Sequence, residues 1–419
     1  MTEIQKIRAK VEQQISFLQN ETDQIAEFNQ AKVLHAFQEN KVSDFHFHPS
    51  TGYGYDDEGR DTLERVYATV FRTEAALVRP QIISGTHAIS TVLFGILRPN
   101  DDLLYITGSP YDTLEEIVGI RDKKQGSLRD FNIGYDAIPL TKSGEVDFIE
   151  VAKKITSRTK MIGIQRSKGY ANRPSFTIAK IAEMITFVKK INPEIIVFVD
   201  NCYGEFVEKL EPTEVGADII AGSLIKNPGG GLAKTGGYIA GTEKLVELCG
   251  YRLTTPGIGR EAGASLYSLL EMYQGFFLAP HVTAQAVKGA RFTAAMLAEF
   301  DVEADPVWDA PRTDLIQSVS FHNKDKMVAF AQAIQAASPV NAHVLPIGAY
   351  MPGYQDDVIM AAGTFIQGAS LELTADGPIR EPFQLYVQGG LTYEHVKIAV
   401  TRAIENTLLK SNIDISKKF

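Results

Sequence analysis

Lys226 closes a short apolar run, Asp218-Ile-Ile-Ala-Gly-Ser-Leu-Ile-Lys226, that breaks at once into Asn227-Pro228 and three glycines. Upstream, Ile195-Ile-Val-Phe-Val-Asp200 is a second run of strand character, ending in a carboxylate and followed by Asn201. An amine and a carboxylate at the C-terminal ends of two neighbouring strands are what a pyridoxal phosphate site needs. The lysine forms the Schiff base, and the aspartate holds the pyridine nitrogen protonated so that the ring accepts electrons. Strand ends of an open α/β sheet are also where ligands bind. A lone lysine after a strand is more often solvated, so the assignment needs company. Ser223 precedes Lys226 by one turn of chain and can direct its hydroxyl at a phosphate. In Gln81-Ile-Ile-Ser84-Gly85-Thr86-His87 a strand, a small-residue turn and an apolar helix through Leu97 follow one another. The free N–H groups at such a helix start form a phosphate cradle, and Gly85 allows close approach. After the strand Leu103–Thr107, Ser109-Pro-Tyr111 brings an aromatic ring to the same rim, able to stack on a pyridine.

A second phosphate motif fails on register. Gly229-Gly-Gly-Leu-Ala-Lys234-Thr235 imitates a P-loop, but that motif needs glycine directly before the lysine and again five residues earlier. Those positions hold Ala233 and Pro228.

In order and spacing these motifs resemble the fold-type I pyridoxal phosphate enzymes. Within them the chain is similar to the cystathionine and methionine γ-lyase group, in particular its methionine γ-lyase-like, or aluminium-resistance, branch. The resemblance covers nearly the whole chain. It implies a Ser-x-x-Lys carrying the Schiff base at Ser223 and Lys226, and an Asp-Asn-x-Tyr at Asp200, Asn201 and Tyr203. It implies phosphate binding at Ser84, Gly85 and Thr86, and a stacking tyrosine at Tyr111. The wider group uses a Tyr-x-Arg from a neighbouring subunit on the phosphate. The counterpart here is Tyr53-Gly-Tyr55 followed by Arg60, a different spacing. For the substrate α-carboxylate the resemblance points to Arg380, in Gly377-Pro-Ile-Arg-Glu-Pro382, with Arg166 of the loop Gln165–Tyr170 as competitor. A guanidinium bonds a carboxylate in bidentate fashion. The implied activity is a carbon–sulfur lyase. It acts on an amino acid of the cystathionine, cysteine or methionine type and releases a thiol, ammonia and a 2-oxo acid. An aminotransferase or aldolase of the same fold would share Lys226 and Asp200. Once freed, a desolvated Lys226 amine is expected to act as a base near neutral pH.

The elements that must position these groups form an α/β plan. Residues 1–60 hold one or two amphipathic helices (Ile4, Ile7, Val11, Ile15, Leu18) and a Gly/Tyr-rich segment. Residues 61–260 alternate helices with short strands, which predicts a three-layer αβα domain around a mostly parallel sheet. Its strands are expected at Gln81–Ser84, Leu103–Thr107, Lys160–Gln165, Ile195–Asp200, Asp218–Ala221 and Gly237–Ala240. A helical stretch over 261–300 leads to a smaller α+β domain, 301–419, with a strand at Ile316–Phe321 and helices at Lys324–Ala337 and Tyr393–Leu409.

With 419 residues and a net charge of −9, the chain is large enough for two cores and poorly suited to nucleic acid or anionic membranes. No apolar stretch reaches the ~20 residues that span a bilayer, and the first residues lack the apolar core of a signal peptide. Two cysteines, Cys202 and Cys249, fit a reducing compartment, and cytoplasm is expected. Cys202 is expected to be a small buried filler. The eight histidines show no metal-ligand spacing, so no metal is expected. The resemblance also implies a homo-oligomer, dimer or tetramer, with shared sites, and the Gly/Tyr-rich segment before Arg60 occupies the place of the partner-contributed residues.

Overall fold

A computed structural model describes residues 2–121, 125–351 and 354–409. Two compact units are present: Glu27–Pro280, and the residues up to Ala26 together with those from His281 onward. The first helix, α1 (Glu3–Glu39), thus contributes to both units, where the sequence division kept residues 1–60 together.

The larger unit is built on a seven-stranded sheet. In chain order its strands are β1 (Ala75–Arg79), β2 (Asp102–Tyr105), β3 (Gly134–Ala137), β4 (Thr159–Gln165), β5 (Ile196–Asp200), β6 (Ile219–Ser223) and β7 (Gly237–Gly241). Across the sheet the order is β1-β7-β6-β5-β4-β2-β3. From β6 to β3 every pairing is parallel, while β7 runs antiparallel to both β6 and β1. The expected mostly parallel sheet is therefore a mixed one with an antiparallel edge. β5 and β6 are apolar along almost their whole length because helices cover both faces of the parallel part, leaving no solvent side on which to alternate.

Two strand assignments change. β1 lies at Ala75–Arg79, and the expected Gln81–Ser84 strand is the turn that follows it. β1 is fully buried, so its run Ala-Ala-Leu-Val-Arg has no alternation to announce it. The arginine that ends it is satisfied by burial of its partners too. Arg79 Nε donates to Glu64 Oε1 at 2.6 Å, and its Nη atoms donate to the carbonyls of Ala262 and Arg260. The short edge strand β3 was not foreseen; Gly134-Tyr-Asp-Ala carries little strand signal.

Helix α2 (Glu58–Phe71) starts on Asp57, whose side chain accepts from Arg60 N at 2.9 Å, and stops at Arg72 in the left-handed region. Helix α3 (Gly85–Ile96) starts on Ser84, which accepts from His87 N at 3.0 Å. Both caps satisfy one N–H that the first turn leaves without a partner. The long helix expected over 261–300 begins only at Leu269 and runs to Ala298, because Gly257, Gly259 and Gly263 hold positive φ and the chain before it turns tightly.

In the smaller unit, β8 (Glu303–Asp305), β9 (Gln317–Ser320), β10 (Val358–Ala361), β11 (Thr374–Pro378) and β12 (Gln384–Gln388) form an antiparallel sheet in the order β10-β11-β12-β9-β8. One face, with Val319, Leu385, Val387, Ala375 and Ile359, shares a core with Phe330, Met327 and Val400 of the helices Lys324–Ala336 and Tyr393–Ile404. The other face is polar: Ser318, Tyr386 and Asp376 stand opposite one another in register. Asp376 is nonetheless buried, accepts from Gln388 Nε2 at 3.1 Å, and is pushed up to about 7 by desolvation.

Asp376 makes a prediction with a definite sign. Its folded pKa lies above the unfolded value, so the folded protein binds the extra proton and loses stability as pH rises from about 4 to about 7. Asp376→Asn keeps the Gln388 bond without the charge. The variant should match wild type near pH 4 and be more stable at pH 8, by on the order of 4 kcal/mol, at about 1.4 kcal/mol per pKa unit. Thermal melts of both proteins across that range check it; equal melting temperatures at pH 8 would overturn it.

Candidate active site

Strand register brings the working groups together. Gln165, Asp200 and Ala221 are direct neighbours across the ends of β4, β5 and β6, with Ser223 one step beyond and Lys226 on the following turn. Adjacent strands lie about 4.8 Å apart, so Asp200 and the β6 terminus share one rim. Thr107, just past β2, joins this rim by accepting from Gln165 N at 3.0 Å through its hydroxyl.

Asp200 is buried and held by Cys202, whose backbone N–H donates to Oδ1 at 3.1 Å and whose thiol bonds the same carboxylate. Desolvation pushes the Asp200 carboxyl up, opposed by Lys226, by the two Cys202 bonds and by Arg173. Burial and the neighbouring Asp200 charge push the Cys202 thiol well up, so it stays protonated. Cys202 was expected to be filler; it is buried, but it also orients the carboxylate.

Lys226 Nζ lies over the Tyr203 ring, 4.0 Å from its centroid. Tyr203 reaches that place through a positive φ of 71°, a turn forced by the chain reversing after β5. Burial pulls the Lys226 ammonium down, but the negative charge around it, that of Asp200 included, pushes it up further. In the free protein Lys226 is a firmly held cation.

Facing these groups is the start of α3. A Cβ placed on Gly85 would lie 3.1 Å from Cys202 Sγ and 3.3 Å from Ser223 Cβ. The helix start, Cys202 and Ser223 therefore surround one small space that only glycine leaves open. No described residue accepts from the N–H of Gly85 or Thr86, and Ser223 Oγ is buried without a hydrogen-bond partner among the described residues. Two backbone donors and one hydroxyl, all lacking a partner, fit a phosphate group at this place. Thr86 Oγ1 meets Thr113 Oγ1 at 2.9 Å, tying the cradle to the turn that carries Tyr111. Tyr111 packs beside Gly169, whose Cβ would lie 2.9 Å from its ring, and its ring centroid is 5.7 Å from that of Tyr170. Ser84, Gly85, Thr86, Asp200, Tyr203, Ser223 and Lys226 are thus assembled, with Tyr111 joined through Thr113.

Two of the three foreseen arginines are placed differently. Arg166 is fully buried and bonds Asn201 at 2.8 Å, Glu208 at 3.0 Å and Glu211 at 3.3 Å. It neutralises two carboxylates beneath the rim, so the expected role on the substrate carboxylate does not hold. Arg60 is buried as well, donating to Gly54 O at 2.6 Å, Gly263 O at 3.2 Å and Asp61 at 2.8 Å. It stitches the segment Ser50–Arg60 to the loop 261–265 of its own chain and is not presented to a shared phosphate. Tyr55, by contrast, is exposed and stacks on Tyr53 with ring centroids 5.3 Å apart. Arg380 is exposed and pairs with Asp356 at 3.0 Å.

Two residues were missed. Arg173, in Asn-Arg-Pro, donates to Thr107 O and, at 2.7 Å, to Ser167 O, and its charge acts on Asp200. Glu205 is fully buried against the end of β6. The only signal for either in the sequence is a charged residue within a few positions of a strand-end motif.

The methionine gamma-lyase family pattern matches residues 4–408. The chain belongs to the methionine gamma-lyase family. It is 66% identical over 411 residues to the uncharacterized protein YnbB of Bacillus subtilis (strain 168), covering 98% of both chains. A crystal structure from Listeria innocua, provisionally named a cystathionine beta-lyase involved in aluminum resistance, is similar at 88% identity. Its TM-score is 0.96, with coverage of 97% of this chain and 100% of that one. A carbon-sulfur lyase involved in aluminum resistance from Clostridium novyi NT is similar at 47% identity and TM-score 0.92, covering 96% and 95%. Membership in this family implies pyridoxal phosphate, and the donors at Gly85, Thr86 and Ser223 fit its phosphate.

Removing the Ser223 hydroxyl tests that fit. One hydrogen bond to a charged group contributes about 1.5–3 kcal/mol. Ser223→Ala should therefore bind pyridoxal phosphate on the order of ten- to a hundredfold more weakly. Its affinity for pyridoxal, which lacks the phosphate, should be unchanged. Equal phosphate-dependent affinity in titrations of the two proteins would remove Ser223 from the cradle.

Proposed function

We propose that this methionine gamma-lyase family member is a pyridoxal phosphate-dependent carbon–sulfur lyase that eliminates a thiol from a sulfur-containing amino acid. The observation that carries the reading is the placement of buried Asp200 and Lys226 at the ends of the adjacent parallel strands β5 and β6, beside the donor-lined space at Gly85. The cofactor, when bound, supplies an aldehyde for amines and an electron-accepting ring. Lys226 is the residue to hold the aldehyde and, once released, to take the substrate α-proton at Nζ. Asp200, kept in place by Cys202, holds a proton at the pyridine nitrogen. Ser223 and the N–H groups of Gly85 and Thr86 anchor the phosphate, which fixes the ring relative to Nζ. Tyr111 is proposed to cover the ring face and assist proton transfer. Arg380 would exchange Asp356 for the substrate carboxylate, a bidentate pairing its exposed guanidinium suits. With one water consumed to replace the amino nitrogen by oxygen, the substrate, whether of cystathionine, cysteine or methionine type, leaves as a thiol, ammonia and a 2-oxo acid.

The reading is tested on purified protein given each of the three amino acids, with thiol and 2-oxo acid measured. Lys226→Ala should lose both the visible absorbance of bound cofactor and turnover, and Lys234→Ala should keep both. Amino-group transfer to a 2-oxo acid without thiol release would assign an aminotransferase instead.

We further propose a homo-oligomer whose sites are completed by the partner. Supporting it, Tyr53, Tyr55, Ile83, Leu266 and Tyr267 are all exposed, and Ile83 directly precedes the capping Ser84. Backbone bonds from Gly263 to Tyr53 and from Leu266 to Ser50 hold these segments side by side. Exposed apolar and aromatic side chains gathered in this way favour the reading of an interface. Inactive Lys226→Ala mixed with a site-defective Tyr55→Phe variant should recover activity after subunit exchange. A monomer by sedimentation, or no recovery despite exchange, would count against shared sites. No helix among the described residues is long and apolar enough to cross a membrane. The two buried, unbridged cysteines support a reducing, cytoplasmic location.

A further inference from the structure

Tyr203 stands in the left-handed region, at φ 71°, in the turn that follows β5. A bulky aromatic residue rarely adopts that conformation, and it persists only where the surrounding structure enforces it. Three contacts do so here. Gly204 N donates to Asn201 O at 2.9 Å and closes the turn. A Cβ on Gly204 would overlap Arg166 Cδ, so the buried stem of that arginine lies directly against the turn. Its guanidinium in turn donates to Asn201 Oδ1 at 2.8 Å.

What this conformation achieves is the placement of one ring. Lys226 Nζ lies over Tyr203, 4.0 Å from the ring centroid. That is well inside the roughly 6 Å within which a ring face attracts a cation. The lysine's own turn is tied to the turn carrying the ring, because Asn227 Nδ2 donates to the carbonyl of Glu205 at 2.9 Å. Amine and ring are therefore fixed on two turns that cannot drift apart independently. The attraction favours the ammonium over the neutral amine, since it is the charge that responds to the ring quadrupole. Nothing in the mechanism above uses this ring.

We propose that Tyr203 is a positioning residue whose ring face receives the Lys226 ammonium. It holds Nζ at one point of the rim whenever the amine carries a proton, both in the free protein and after the amine has taken the substrate α-proton. The ring thereby strengthens the amine as a base and keeps the captured proton in a defined place. The phenol hydroxyl has no part in this, so phenylalanine would serve. The inference rests on Lys226 as the working lysine of the proposed reaction.

The test reads the amine without turnover. The full chain, freed of cofactor, is pulsed with acetic anhydride at fixed pH. Acetylation of Lys226, relative to the exposed Lys234 as internal reference, is followed by peptide mass spectrometry. Tyr203→Phe keeps the ring face and should stay within about twofold of wild type. Mono-, di- and trifluorinated phenylalanines at position 203, introduced by codon suppression, keep the shape while withdrawing charge from the ring face. Lys226 should react faster with each fluorine, reaching at least about threefold, because a contact of this kind favours the ammonium by a factor of about two to thirty. Tyr203→Leu, which lacks a ring face, should react at least as fast as the trifluorinated protein. A flat series, a Tyr203→Phe protein as reactive as Tyr203→Leu, or a rise shared equally by Lys234 would each overturn the proposal. Should Tyr203→Leu fail to fold by circular dichroism, the fluorinated series decides alone. A graded series in a chain without lyase activity would refute the proposed reaction and leave the role of the ring intact.

Discussion

The parallel pairing of β5 with β6 is the constraint on which the site depends. It sets Asp200 opposite Ala221, so that the next residues of each strand, Cys202 and Tyr203 on one and Ser223 and Lys226 on the other, emerge at one rim. A one-residue slip would reverse every side chain on β6 and turn Ser223 away from α3. The register is protected by burial on both faces and by glycines placed where other chains approach. Gly85 admits Cys202 and Ser223, and Gly222 admits Glu205 and Tyr238. Shape and chemistry are thus fixed by the same few close contacts.

Burying so many ionisable groups in one place is costly, and the structure answers with pairing at several depths. Arg166 sits below the rim between Glu208 and Glu211 and holds Asn201, the residue after Asp200. Arg79 and Glu64 do the same for the far edge, fixing the loop that passes over β1. These pairs contribute little net stability, since desolvation offsets most of their attraction, but removing either partner would strand a buried charge. Their effect is positional: the groups that face the ligand space are backed by groups that cannot move without exposing a charge.

The segment from Ser50 to Arg60 shows a similar division of labour. Arg60 is turned inward onto the carbonyls of Gly54 and Gly263, and this frees Tyr53 and Tyr55 to stand outward, stacked on each other. Gly54 is irreplaceable here, with positive φ and Ala264 backbone within 2.7 Å of where its Cβ would be. The inward arginine makes the segment rigid on its own side and leaves the aromatics facing solvent.

Much of this was legible in the sequence because the site is carried by strand ends and helix starts, and both have local signatures. Ile-Val-Phe-Val-Asp200, the Ser-x-x-Lys at 223–226 and the Ser-Gly turn at 84–85 each announce an element boundary and a chemical group together. Strand assignment failed where that coupling was absent. β1, buried along its whole length, has no periodicity, and Gln81–Ser84 looked strand-like only because Ile82 and Ile83 are apolar. The direction of every long side chain lay beyond the sequence, because a guanidinium or a carboxyl on a flexible stem goes where the nearest opposite charge is. That is why Arg166 faces inward between its two carboxylates, and Arg60 onto Asp61 and the nearby carbonyls. The sequence determined which groups stand at the ends of which strands, since local pattern dictates where an element stops. Only the tertiary structure decided their protonation, because a pKa depends on burial and on charges brought close by register, neither of which any short stretch of chain contains.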